Sequence, residues 1–444
     1  MSKRPIEEIL GGETKSPPKP AQGLGLEVDF LYDSEKGNYY RKSPAGSYVK
    51  TSERDLKRHL QRSGFYAKGD GGNGLTAFED EICKAQDLRC VDHVIALAGH
   101  CPGIFTTGDG RKILVPRGPQ LAPPKSGPLP NWETLFLELF GDQTPYVLGW
   151  MKTALEDLYG LRITRWHHNQ MLALVGEPNC GKSFFQHLLT ILLGGRSSDP
   201  YLWMIGRSNF NEDLAESEHL AMGDKNSFRD NKSRSSFGSV IKELAVDSKM
   251  AIHGKGKKAI TCPTFRRVTI SINNDADYVT VLPILERSVA DKIMLLLCGR
   301  ASMVPDYEAN LRRFVDEIPA LVHFLLNVHE IPPELRQDRF GVATYHSPAV
   351  VALLEQFDPL NRFRELVELT LRPEVNDSPL WWKGSASELQ KALAEGEHSH
   401  LARQLLTYSS ACGQYLRGLA DRFPAWVTFS DSQGHRTWRI AALD

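Results

Sequence analysis

The stretch MLALVGEPNCGKSFFQHLL, Met171 to Leu189, decides the fold. An apolar run enters a glycine-bounded loop, and a second apolar run with helical spacing leaves it. Gly176-Glu177-Pro178-Asn179-Cys180-Gly181-Lys182-Ser183 fits the pattern GxxxxGK[ST], in the strand-then-helix setting that the pattern requires. Each position has a physical reason. The glycines let the backbone curl so that its N–H groups surround phosphate oxygens. The start of the following helix adds partial positive charge. Lys182 reaches the β- and γ-phosphates, and the Ser183 hydroxyl ligates Mg²⁺.

Outward from the loop, the strand-like runs HLAM, RRVTISI and DKIMLLL alternate with helical segments such as SRSSFGSVIKELAV. That alternation predicts an α/β domain with a largely parallel sheet. Asp224 ends one strand, where a second acid would hold Mg²⁺ through water. Asn273 ends another, where an amide would orient an attacking water. Between them, KMAIHGKGKKAITCPTFRR carries six basic side chains and one histidine from Lys249 to Arg267, and no acid. Gly254 and Gly256 make its centre a flexible hairpin loop. A charge run is ordinarily a solvated face. Its place between two nucleotide-site strands favours contact with a phosphate backbone instead.

The whole chain has 444 residues, 41% hydrophobic and 24% charged, which allows two or three globular domains. Fifty-three Lys and Arg against fifty-four Asp and Glu exclude recognition of nucleic acid by overall basicity, so any such surface is local. Seven scattered cysteines fit a reducing cytoplasm rather than a disulfide framework. Cys83, Cys90, His93, His100 and Cys101 could be imagined as zinc ligands, but no CxxC pair is present. Residues 1–25 read as a mobile tail without a signal peptide, and no apolar run reaches transmembrane length.

The remaining expectations concern organisation. An α+β accessory domain is expected over residues 26–125, including a hairpin in GNYYRKSPAGSYVK. The Pro-rich LAPPKSGPLPNW reads as a linker. A helical collar (131–165), the α/β core (166–300) and a helical linker (301–360) follow. Residues 361–444 read as three helices and a closing hairpin around Ser432-Gln433-Gly434, an arrangement compatible with a winged helix.

The order of loop, acidic strand end, Lys-rich hairpin and strand ending in Asn resembles superfamily 3 helicases of the AAA+ class, as in papillomavirus and parvovirus replication proteins. The segments HGKGKKA, TISINNDADYVTVLPILERSVADKIMLLL and WWKGSASELQKAL are closer to phage and plasmid primase-helicases, over roughly residues 130–444. The resemblance implies a ring, usually a hexamer, that hydrolyses ATP with Mg²⁺ between subunits and moves along single-stranded DNA. It implies a phage, prophage or plasmid replication system in a bacterial cytoplasm, with a primase or another replication protein as a further partner and no membrane.

Residue by residue, the resemblance makes Lys182 and Ser183 the Walker A pair, Asp224 the Walker B acid and Asn273 the sensor. His253 and Lys255 fall in the DNA-contacting hairpin, with Lys257 and Lys258 beside them. An arginine finger is expected before the last strand. Arg287 suits a γ-phosphate better than Lys292, because its planar fork matches phosphate oxygens. In the winged helix, Tyr415, Arg417 and Arg422 lie on the third helix, and His435, Arg436 and Arg439 lie on the wing. One departure stands out: Lys225 follows Asp224, where the family usually carries a second acid, and a charged lysine that only donates is a poor replacement for a general base. Glu218 or Asp230 are the candidate substitutes. The N-terminal segment lacks the paired aspartates of a primase, Asp29 and Asp33 being the nearest approach. Two other readings compete: an oligomeric initiator that ATP merely switches, and a P-loop kinase, which the absence of an Arg-rich lid segment disfavours.

Overall fold

A computed structural model of the chain describes residues 30–63, 74–161, 166–223, 231–279, 281–283, 285, 287–302, 307–371, 380–432 and 435–441. The chain divides into two units. One takes the described residues up to Ile95 together with Pro102–Arg117, and the other takes Ala96–Cys101 and the described residues from Gly118 onward.

The first unit is built on the expected hairpin. Strands Asn38–Lys42 and Tyr48–Thr51 pair antiparallel around Gly46, whose φ of 83° is a conformation glycine adopts without strain. Strand Phe30–Asp33 joins one side antiparallel, and Cys90–Val91 adds to it in parallel. Two helices, Glu53–Arg62 and Ala77–Leu88, start at the side-chain caps Ser52 and Thr76. They bury Leu56, Leu60 and Phe78 against Phe30 and Tyr39. Asp33 is fully buried and its carboxylate accepts the backbone N–H groups of Glu35 and Lys36, so it caps a turn.

The second unit holds a five-stranded, wholly parallel sheet. Its strands are β1 (Met171–Gly176), β2 (Ser197–Ser198), β3 (His219–Met222), β4 (Arg267–Asn273) and β5 (Ile293–Leu297). Their spatial order is β5-β1-β4-β3-β2. β1 is buried along its whole length, which is why MLALV reads as a continuous apolar run. The helix Lys182–Leu192 buries Phe184, Phe185, Leu188, Leu189 and Leu192, spaced to fill one face. Helices Pro130–Phe140 and Thr144–Leu158 pack beside β5, with Trp132 and Phe314 meeting edge to face at 5.5 Å between centroids.

The Pro-rich stretch is not a free linker. Gln120 N–H donates to the Gly194 carbonyl (3.1 Å) and Lys125 N–H to the Pro319 carbonyl (2.9 Å), while the Tyr159 hydroxyl holds the Ala122 carbonyl. Prolines keep the segment extended and remove N–H groups, and these bonds hold it on the core.

The C-terminal segment has one element more of each kind than the sequence suggested. Helices Pro359–Leu371, Ala386–Glu395, Ser399–Leu405 and Ala411–Arg422 surround a core that includes Phe363, Leu389, Leu416 and Trp438. Strands Val427–Ser432 and His435–Ala441 form the closing hairpin, and Leu380–Gly384 pairs antiparallel on its other side. The turn residues Gln433 and Gly434 lie outside the described residues.

Candidate nucleotide and DNA sites

The sheet order itself creates the crevice. From β1 the chain crosses to the far edge at β2, whereas from β4 it crosses back over β1 to β5. Right-handed crossovers in opposite directions lie on opposite faces, so the connections leaving the C-terminal ends of β1 and β4 part to opposite sides of the sheet. Gly176 and Asn273, the last residues of these two strands, are cross-strand partners.

The loop between β1 and its helix turns through two left-handed residues, Asn179 (φ 58°) and Gly181 (φ 118°). Asn179 is the one non-glycine residue with positive φ among the described residues, and asparagine tolerates that region. Gly176 is fixed by crowding: a Cβ there would lie 2.7 Å from the Cys298 carbonyl oxygen. Cys298 N–H in turn donates to the Val175 carbonyl, and Ala301 N–H to the Cys180 carbonyl, so the loop is clamped from the β5 side. Burial pushes the Cys298 thiol well above its ordinary pKa.

Lys182 is 4% exposed. Its ammonium donates to the carbonyls of Gly176 (2.9 Å) and Glu177 (2.7 Å) and to Asn273 Oδ1 (3.1 Å). Among the described residues its partners are neutral oxygens and the Cys180 sulfur, so a buried full charge has no anion beside it. Burying an uncompensated cation is costly, and the natural compensation is an anionic ligand. Ser183 is exposed at the helix start. Asn274, next to Asn273, donates from Nδ2 to the Glu177 carboxylate at 2.6 Å. Glu177, Pro178 and Asn179 line the exposed outer side of the loop.

A polar network runs behind this loop, and nothing local in the sequence signals it. Gln186 Nε2 donates to the Met222 carbonyl (3.0 Å) and to Thr269 Oγ1 (2.8 Å). His219 lies between Thr190 Oγ1 (2.7 Å) and Thr269 Oγ1 (2.8 Å). Complete burial lowers the His219 pKa to about 3, so the imidazole is neutral. Helix, β3 and β4 are thus tied together one turn behind the glycine-bounded loop.

Asp224, Lys225 and Asp230 lie outside the described residues, as does the side chain of Arg287, which starts the short helix Arg287–Ala290. Glu218 is described and does not fit the role of substitute base. It is fully buried before β3, at the end of a parallel sheet opposite the loop. Its carboxylate holds Arg196 (Nε at 2.8 Å) and the Gly99 N–H (2.9 Å). Lys292 also starts its strand at that far end. It is 8% exposed and its ammonium sits on Asp291 at 2.5 Å, so it is not a free cation.

The Lys-rich segment forms the expected hairpin. Lys249–Ile252 pairs with Ile260–Pro263, burying Met250, Ile252, Ile260 and Cys262. Asn211 anchors its base: its side chain accepts the His253 N–H (2.7 Å) and donates to the Ala251 carbonyl (2.9 Å). His253, Lys255 and Lys258 are exposed at the loop. Lys257 departs from the expectation, because Glu212 holds its ammonium. Arg266 and Arg267 leave the basic surface altogether. Arg266 donates to the Leu244 carbonyl (3.1 Å) and Thr264 Oγ1 (3.0 Å). Arg267 pairs with buried Asp157 at 3.1 Å, and Asp157 also accepts from His167 Nδ1 at 2.8 Å.

In the C-terminal segment, Arg417 and Arg439 are exposed. Arg436 is not free: it forms two 2.8 Å bonds to Asp431 and covers the Phe429 ring. Arg422 holds Asp358 at 2.8 Å, and Tyr415 stacks on Phe363 at 5.0 Å. The side chain of His435 lies outside the described residues. Among the described residues no helix is long and apolar enough to cross a membrane.

Residues 174–284 match a family of unknown function, DUF5906. No curated protein matches the sequence. The apo structure of the NrS-1 C terminal region (305-718) aligns over 93% of this chain and 95% of that one, at 14% identity and a TM-score of 0.54. A second apo form of the same region aligns over 93% and 96%, at 14% identity and a TM-score of 0.51. The two proteins therefore share a fold across nearly their whole aligned lengths. A structure of SCCmec type IV Cch, an active helicase, aligns over 89% of this chain and 73% of that one at 11% identity, but its TM-score of 0.27 supports no inference.

Proposed function

We propose that this chain is an ATP-driven DNA helicase of the superfamily 3, AAA+ type, working as a ring on single-stranded DNA in phage, prophage or plasmid replication. The observation that carries the reading is Lys182: a buried ammonium held by neutral oxygens at a switch-point crevice, inside a loop of matching sequence. A triphosphate with Mg²⁺ supplies the anion and the scissile bond. Lys182 would hold its β- and γ-oxygens, Ser183 and Asp224 the metal, and Asn273 would be released to orient water. The anchored hairpin with exposed His253, Lys255 and Lys258 supports a moving contact to DNA phosphates, and the C-terminal segment reads as a winged helix. Arg287 is the proposed finger into a neighbour's site.

One observation favours the second reading, an initiator that ATP orders on DNA with little hydrolysis. Glu218, the described candidate for a substitute base, is locked in a buried pair with Arg196. Strand displacement on a forked substrate with ATP, and with a non-hydrolysable analogue, separates the two. Displacement with ATP alone supports the helicase. DNA binding and assembly without displacement in either case supports the initiator.

A further inference from the structure

The sequence puts Lys225 where a second acid beside Asp224 would activate water, and Glu218 is locked in its pair with Arg196. Another carboxylate stands at the crevice. Glu177 directly follows β1 and is exposed. Gly176 and Asn273 close the register of β1 with β4, so Glu177 and Asn274 are the next residues out on the two strands. They meet there, Asn274 Nδ2 donating to Glu177 Oε1 at 2.6 Å. Among the described residues this is the one bond to the Glu177 carboxylate, and it comes from a neutral amide, which leaves Oε2 open to water. The backbone of the same residue touches Lys182: the Glu177 carbonyl accepts from Nζ at 2.7 Å. That ammonium also donates to Asn273 Oδ1 at 3.1 Å. A buried cation without an anion and a carboxylate without a cation therefore stand one residue apart at the strand ends.

We infer that Glu177 is the general base of ATP hydrolysis in this chain, in place of the acid missing beside Asp224. The inference rests on the ATPase reading and names the residue that activates water within it. Because the Glu177 carbonyl touches the Lys182 ammonium, its side chain begins beside the position of a phosphate held there, close enough to act on an intervening water. The water oxygen bonds to the γ-phosphorus as its proton passes to Glu177 Oε2. The bond from that phosphorus to the bridging oxygen breaks, and its electron pair leaves with ADP. The proton then passes to an oxygen of the released phosphate, which restores the carboxylate. Asn274 is a positioning residue: its amide fixes Oε1 without the neutralising charge that an arginine would bring. A carboxylate beside a γ-phosphate also repels it, so removing the Glu177 charge should not weaken ATP binding.

The test uses the full chain with Mg²⁺ and single-stranded DNA, and reads binding of a fluorescent ATP analogue beside phosphate release. Glu177→Gln is expected to lower turnover by about 10²–10⁴-fold, the usual contribution of a positioned base, with analogue affinity within about threefold of wild type or tighter. Nucleotide recovered from this variant by rapid gel filtration should be ATP and not ADP. Glu177→Ala should regain part of its turnover in sodium formate, which supplies a carboxylate but does not repair a misshapen loop. Asn274→Ala should lower turnover by about tenfold in the wild-type background and add nothing in the Glu177→Gln background. Turnover of Glu177→Gln within a few-fold of wild type overturns the assignment, as does a loss matched by lost analogue affinity. A large loss in Asp275→Asn instead, at the described acid that follows Asn274, also overturns it. A wild-type chain that binds the analogue but turns over no ATP removes the base and leaves the nucleotide site standing. A wild-type chain that binds no analogue removes the nucleotide reading itself, and this inference with it.

Discussion

At the scale of single residues, Lys182 and His219 are both buried but in different surroundings. Lys182 donates to three neutral oxygens, and the proposed function supplies a phosphate as its counter-ion. Lys182→Ala should lower nucleotide turnover by about 10³-fold or more, since the charge that offsets the transition state is lost. Turnover within a few-fold of wild type in a phosphate-release assay would remove the assignment. His219 is held neutral, its pKa lowered to about 3 by burial, against about 6.5 when unfolded. The folded state therefore resists protonation that the unfolded state accepts. The contribution to stability is complete above about pH 6.5 and declines as pH falls towards 3, by up to about 1.4 kcal/mol per pH unit. His219→Gln should be less stable than wild type at pH 7.5 by about 1–3 kcal/mol, because Thr190 and Thr269 lose a shared partner. The gap should narrow at pH 5 in denaturant titrations. A gap that widens with acid would mean that His219 is protonated in the fold.

At the scale of elements, the hairpin divides its cations into two groups. His253, Lys255 and Lys258 are exposed, whereas Lys257 is claimed by Glu212. Replacing His253 and Lys255 together with Ala should reduce unwinding far more than basal ATPase and remove the stimulation of ATPase by DNA. Each single-strand phosphate that the variant no longer neutralises should lower the salt slope of binding by about 0.7. A double variant that unwinds forks at the wild-type rate would mean that this hairpin does not carry the DNA. The elements also mark how far the sequence could be read. The glycine-bounded turn from strand to helix was legible because its parts are contiguous: a buried strand, the glycines and a helix start leave a local pattern. The hairpin was legible from its glycines and its alternating buried residues. Its charge count was not, because burial depends on partners far along the chain. Asp157 claims Arg267 from 110 positions away, and Glu212 claims Lys257 from 45. The links joining Gln186, Thr190, His219 and Thr269 were invisible for the same reason, since Gln, His and Thr in apolar runs show no pairing in advance. Pro-rich composition signalled an extended chain and not whether it would lie on the core.

At the scale of the whole molecule, the C-terminal segment has a core of its own, and its cations separate into structural and free sets. Arg436 is bound by Asp431 and Arg422 by Asp358, so both stabilise the segment. Lys383 and Arg439 are paired in register across neighbouring strands, with Thr428 on the far side of Arg439, and all three are exposed. Directly opposed cross-strand residues share one face of a sheet. Two like charges side by side repel each other, and a duplex phosphate backbone would offset that repulsion. Lys383→Ala with Arg439→Ala should therefore weaken binding of a forked duplex and reduce its salt slope by about 0.9 for each duplex phosphate left unneutralised. Stimulation of ATPase by single-stranded DNA should remain, because the hairpin is untouched. Arg436→Ala should behave differently, destabilising the hairpin it braces while leaving the slope near wild type. Fluorescence anisotropy on forked DNA at several salt concentrations measures both effects. If the double variant keeps the wild-type slope and Arg436→Ala loses it, duplex DNA is read from the other side of the closing hairpin. If neither variant changes the slope, the segment docks a protein partner instead.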